Sequence, residues 1–228
     1  MIKRSKLIEN FLKIAKQEDI SGPVMAIGGA EDKTNHSKVL KEFFNLAGGK
    51  NCDITIIPWA SEKKNAGENY KKLFEDFGAK KVFLLKDKSR DKTLDAIERS
   101  AAIFFVGGDQ KRLLDALDEL DLMHEIKVYH KSGTLIGGTS AGASILSTHM
   151  PYWDSNKEKM IYFRGLDLVP NSIIDQHFSQ RNRSNRLKSG VARFKNSIGY
   201  GIDEDTALIF KEKEKPKKIG SGEVLIID

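Results

Sequence analysis

The sequence contains a single cysteine, Cys52, which excludes an internal disulfide and with it a small cross-linked scaffold. Its place in the strand-like stretch CDITII marks it as a buried structural thiol. No run of about 18 apolar residues occurs, so no membrane span is expected. The N-terminal MIKRSKLIENFLKIAKQEDI is basic but interrupted by charge every few residues. Lacking an apolar core and a small-residue cleavage site, it reads as an amphipathic helix rather than a secretory signal, and the cytoplasm is the expected location. Proline- or serine-rich linkers, low-complexity tracts and repeats are missing as well, so the chain reads as one domain, residues 1–228. No Cys/His set has zinc spacing, and Asp32 or Asp109 alone does not make a metal site. No metal and no other cofactor is expected. The pair Gly28-Gly29 lacks the spacing of a nucleotide loop and reads as a tight turn at a site rim.

What is present is a soluble globular composition, 39% hydrophobic and 31% charged. The net charge of +6 invites a nucleic-acid reading. The charges nevertheless alternate in sign, as in KEKEKPKK near the C-terminus, which marks a solvated surface. No nucleic-acid partner is expected, while an anionic substrate stays open.

Short apolar segments alternate with helical ones. PVMAIGG, CDITIIPWA, KVFLLK, AAIFFVGG and TLIGGTS predict strands. HSKVLKEFFNLA, KNAGENYKKLFEDFG, TLDAIERS and QKRLLDALDELDLMHEI carry apolar residues at helical spacing. Near-continuously apolar strands suit a parallel sheet covered on both faces, so the expected fold is α/β, a doubly wound, mostly parallel sheet. Towards the C-terminus, SIIDQHF predicts a further strand, and IGYGIDEDTALIF and GEVLIID predict an antiparallel pair at a sheet edge. Active sites in such sheets lie at the carboxyl ends of the strands. The segments 28–32, 107–110, 138–143 and 175–181 are expected to converge there.

One of them, Gly138-Thr139-Ser140-Ala141-Gly142, places G-x-S-x-G at a strand-to-helix turn, the way a hydrolase presents a serine nucleophile. A serine needs a base, and the base needs an acid to orient it. His36, His124, His130 and His149 fall on surface or structural positions, whereas His177 ends an apolar strand at the site face. Asp203, Glu204 and Asp205 supply the acid at another strand end. The order Ser–His–acid differs from the Ser–acid–His of α/β-hydrolases, which disfavours that fold. The N–H of Ala141, with one from Gly107-Gly108-Asp109, is expected to form the oxyanion hole. Arg181, Arg183 and Arg186, directly beyond His177, suggest recognition of a carboxylate or phosphate.

At this point the segments AIGGAEDK, FFVGGDQ, GGTSAGASILS, DQHFSQRNRSNRL and GIDEDTAL resemble, in order, those of the cyanophycinases. These are serine peptidases of the peptidase E group with a class I glutamine-amidotransferase-like fold. The resemblance implies hydrolysis of cyanophycin, a poly-aspartate with arginine on each β-carboxyl, to β-aspartyl-arginine dipeptides through an acyl-enzyme. It implies Ser140 as nucleophile, His177 as base and Glu204 as acid. Gln110, Asp175, Gln176, Arg181, Arg183 and Arg186 match positions associated with substrate binding or site integrity. Asp175 would pair with a substrate guanidinium while the arginines hold its carboxylates. A homodimer is implied too. The alternative is a peptidase E-like dipeptidase acting on another acidic or isopeptide substrate.

Overall fold

A computed structural model describes residues 21–228. The expected N-terminal amphipathic helix lies outside the described residues. Strands β1 (Val24–Ile27), β2 (Asp53–Ile57), β3 (Lys81–Leu84), β4 (Ala102–Phe105) and β5 (Leu135–Thr139) are joined by helices. These are α1 (Lys38–Leu46), α2 (Glu68–Phe77), α3 (Arg90–Glu98), and the pair α4 (Gln110–Glu119) and α5 (Met123–Lys131). With β10 (Thr206–Phe210) and β11 (Lys217–Gly220) they build a seven-stranded sheet in the order β11-β10-β1-β5-β4-β2-β3. The five central and distal strands are parallel, and β10 and β11 add an antiparallel edge.

Successive strand residues bury on opposite faces, as the pleat requires. Met25, Ile27, Ile54, Ile56 and Phe104 pack with Phe43 of α1 and Phe74 of α2. Val24, Ala26, Ile57, Ile103 and Phe105 pack on the other face with Ile97 of α3, Leu113 of α4 and Ile126 of α5. Local signals agree with the elements. Ser37 caps α1 by accepting from the Leu40 N–H, Asp109 caps α4 through Lys111 and Arg112, and α2 ends in left-handed Gly78.

A short helix α6 (Ala141–Ser144) and a hairpin of β6 (His149–Asp154) and β7 (Lys159–Arg164) follow β5. Strand β8 (Ser172–Gln176), helix α7 (Ser184–Arg193), and strands β9 (Ile198–Ile202) and β12 (Val224–Ile227) complete the described chain. Here the structure departs from the sequence reading. IGYGIDEDTALIF is two strands in different sheets, because the turn 203–205 carries the chain from β9 to β10. GEVLIID pairs with β9 in a second sheet, β12-β9-β8, while β11 begins inside the lysine-rich stretch and pairs with β10. QKRLLDALDELDLMHEI is likewise two helices, broken where Asp121 takes a positive φ of 50°. Among the described residues no helix is long and apolar enough to cross a membrane.

Candidate active site

The end of β1 is the hub of the site. The carbonyl of Ile27 accepts the N–H of Ser140 at 2.9 Å, and that of Gly28 accepts the N–H of His177 at 2.8 Å. The carbonyl of Gly29 accepts the N–H of Asp205, beside Glu204, at 2.9 Å. Three consecutive peptides thus fix three segments that are far apart in sequence. A Cβ on Gly29, whose φ is +102°, would sit 2.4 Å from the His177 ring. Gly29→Ala is therefore expected to displace the imidazole while leaving the core intact. The check is loss of the His177–Glu204 hydrogen-bonded proton in the NMR spectrum, with global unfolding little changed; an unmoved imidazole signal would contradict it.

Ser140 sits at φ 53°, ψ −113°, between β5 and α6, a strained turn that projects its Oγ out of the backbone. The flanking glycines permit the close approach. A Cβ on Gly138 would lie 2.2 Å from the Gly142 carbonyl oxygen, and one on Gly142 2.3 Å from that of Phe105.

Ser140 Oγ lies 2.9 Å from His177 Nε2, and His177 Nδ1 lies 2.5 Å from Glu204 Oε1. A carboxylate only accepts, so Nδ1 carries the proton and Nε2 is left to accept from the serine hydroxyl. Burial pushes the His177 pKa below its ordinary 6.5, with Arg181 and Arg183 adding to the shift and Glu204 opposing it. Of the three acids in GIDEDT, only Glu204 reaches the histidine. Asp203 accepts the N–H groups of Ser179 and Glu223, and Asp205 those of Asp32 and the Ser221 hydroxyl. Both are occupied as turn formers.

The Ala141 and Gly108 N–H groups have no protein acceptor among the described residues. The expectation for Asp109 is corrected: its N–H donates to Ala60 O at 2.8 Å, and its carboxylate caps α4. Gln176 is buried with its Oε1 3.4 Å from Ser140 Oγ. Gln110 donates from its amide to Pro151 O at 2.9 Å, tying α4 to the β6–β7 hairpin. Arg181 is exposed, its N–H on the His177 carbonyl.

The expectation that Asp175 faces a substrate guanidinium is also corrected. Asp175 is fully buried and already holds two guanidiniums. Arg183 donates to it at 3.1 Å and to the Gln176 carbonyl at 2.6 Å, and Arg186 grips it through Nε at 2.6 Å and through Nη2. Burial, with Arg186 alongside, lowers the Arg183 pKa to about 10. The cluster braces β8 immediately behind Gln176 and His177.

Beside Ser140 opens a cleft of about 450 Å³ whose lining includes Lys33, Lys63, Asn65, Asn69 and Tyr70. Sequence reasoning passed over these residues, because Lys63, Asn65 and Asn69 lie in an irregular turn and a helix start that match no chemical motif.

A strained serine at a strand-to-helix turn, bonded to a histidine that is itself bonded to a carboxylate, defines a hydrolase of the nucleophile-elbow kind. The chain belongs to Peptidase family S51, whose model matches residues 24–217, and it is a peptidase. It is similar to the cyanophycinase of Geminocystis herdmanii, 39% identical over 217 residues spanning 90% of this chain and 80% of that one. The cyanophycinase of Trichormus variabilis is 38% identical over 90% of this chain and 73% of its own. Peptidase E of Actinobacillus pleuropneumoniae is more distant, 25% identical over 79% of this chain and 80% of its own. In fold the chain is similar to the crystal structure of a peptidase from an acI-B1 Actinobacterium, at a TM-score of 0.63 and 23% identity, covering 92% of this chain and 98% of that one.

Proposed function

We propose that the protein is a serine exopeptidase that hydrolyses cyanophycin to β-aspartyl-arginine dipeptides through an acyl-enzyme. One observation carries the chemistry: the unbroken chain of hydrogen bonds from Ser140 Oγ through His177 to Glu204. Similarity to cyanophycinases at 38–39% identity supports the substrate. In this reading His177 Nε2 takes the serine proton as Oγ attacks a backbone carbonyl. The Gly108 and Ala141 N–H groups stabilise the oxyanion, and Glu204 stabilises the imidazolium. His177 then protonates the leaving amine, and water releases the acyl group by the same route. The Asp175–Arg183–Arg186 cluster holds Gln176 and His177 in place, and Arg181 stands at the rim. We also assign the protein to the cytoplasm, as a homodimer formed from a single domain; sedimentation is then expected at twice the monomer's 25.6 kDa.

The substrate is tested by comparing oligomers of arginine-branched poly-aspartate with α-aspartyl dipeptides. Hydrolysis confined to the branched oligomers is expected. Preferential turnover of the dipeptides would assign the protein to the peptidase E type of activity instead.

The base must be neutral to act, and its lowered pKa keeps it neutral further into acid. The acidic limb of the kcat/KM profile is therefore expected below pH 6.5, the ordinary histidine value. Removing the Arg181 charge, which depresses the histidine, is expected to move that limb upward. A limb unmoved in Arg181→Gln would show that this charge does not act on the base.

A further inference from the structure

The cleft beside Ser140 is lined by two lysines and by asparagine, tyrosine and backbone, with no acidic side chain among its lining residues. Lys33, one of the lining residues, is held by Glu31 and Tyr70. Its Nζ donates to the Glu31 carbonyl at 3.2 Å, lies 3.4 Å from Glu31 Oε1, and stands 5.2 Å from the centre of the Tyr70 ring. Glu31 is in turn fixed: its carboxylate is buried and accepts from Tyr70 Oη at 2.5 Å and from Thr139 Oγ1 at 2.6 Å. Thr139 directly precedes Ser140, so the ammonium is tied to the same element as the serine. Lys63, also in the lining, has no ion-pair partner among the described residues. One buried carboxylate behind the lining, that of Glu31, thus stands against two ammonium groups in it, a net positive charge.

The arginines beyond His177 present the opposite case. Arg183 and Arg186 are directed into Asp175, on the β8 side of the serine. The cationic side chains that share the cleft lining with Ser140 are Lys33, paired with Glu31, and Lys63.

We infer that Lys33 and Lys63 form the subsite that takes a carboxylate of the substrate next to the scissile bond, and that the substrate's guanidinium lies outside this cleft. The inference rests on the cyanophycin reading, and specificity would come from an anion subsite that repels the cationic end of each branch. Two carboxylates of the polymer could fill it, that of the branch arginine and that of the chain terminus.

The test uses three synthetic aspartyl oligomers: one with arginine branches, one with agmatine branches, which lack the carboxylate, and one with arginine branches and an amidated terminus. Wild-type protein is compared with Lys33→Met, Lys63→Met and Lys33→Arg. On the arginine oligomer each methionine variant is expected to raise KM about tenfold, the order of a charge-assisted contact, with kcat little changed. Lys33→Arg should recover much of the loss. If the penalty vanishes on the agmatine oligomer, the branch carboxylate fills the subsite; if it vanishes on the amidated one, the terminal carboxylate does. A penalty equal on all three, or none on any, overturns the inference while leaving the function standing. Failure of wild type to cleave any oligomer overturns the function itself.

Discussion

Ser140→Ala is expected to lower the rate of peptide hydrolysis by roughly 10⁴–10⁶-fold, because the nucleophile is part of a unit whose members do not act independently. The fold should hardly notice. Among the described residues, Ser140 Oγ has hydrogen-bond contacts only with the side chains of His177 and Gln176. The left-handed backbone at φ 53° strains alanine no more than serine, so stability should change by less than about 1 kcal/mol. Substrate should still bind with near wild-type affinity. Steady-state kinetics beside a urea titration separates the two effects. A variant that keeps more than a few per cent of the activity would remove Ser140 from the chemistry.

The second large effect is structural. Asp175→Ala leaves the Arg183 and Arg186 guanidiniums unpaired, with their side chains only 13% and 18% exposed. Breaking a buried ion pair from one side costs about 3–5 kcal/mol. For a domain of this size that lowers Tm by roughly 6–20 °C. The triple change Asp175→Leu, Arg183→Met, Arg186→Met removes all three charges together and should cost less than Asp175→Ala alone. If the single variant melts within about two degrees of wild type, a spread smaller than roughly 1 kcal/mol, the cluster does not brace β8. Activity should fall with stability in the single variant, since Gln176 and His177 directly follow Asp175.

The alternation of apolar strands and amphipathic helices made the parallel sheet readable, because the strands β1, β2, β4 and β5 are buried on both faces and their pattern owes little to distant contacts. The positions of Ser140 and His177 were readable for a similar reason, since an elbow and a strand end are local features. The acidic turn offered three acids, and only the family resemblance singled out Glu204. Partner choice was not readable. Nothing in IGYGIDEDTALIF says that its halves enter different sheets, since both halves are apolar and the division depends on which neighbour each finds. Gly28-Gly29 read as a rim turn, whereas its carbonyls hold the base and the acid's turn. The arginine run looked like a substrate surface because its anion, Asp175, lies inside a strand whose apolar neighbours give no sign of a buried charge. Lys33 and Lys63 went unread for the converse reason. Single lysines in polar turns are common, and only the fold brings these two to one cleft.

The most direct test of the account is the product made by the purified wild-type protein from cyanophycin. Chromatography and mass spectrometry are expected to find β-aspartyl-arginine dipeptide accumulating from the start of the reaction, with no free arginine. Intact polymer would contradict the assigned substrate, and release of free arginine would show that the branch is cut instead of the aspartyl backbone.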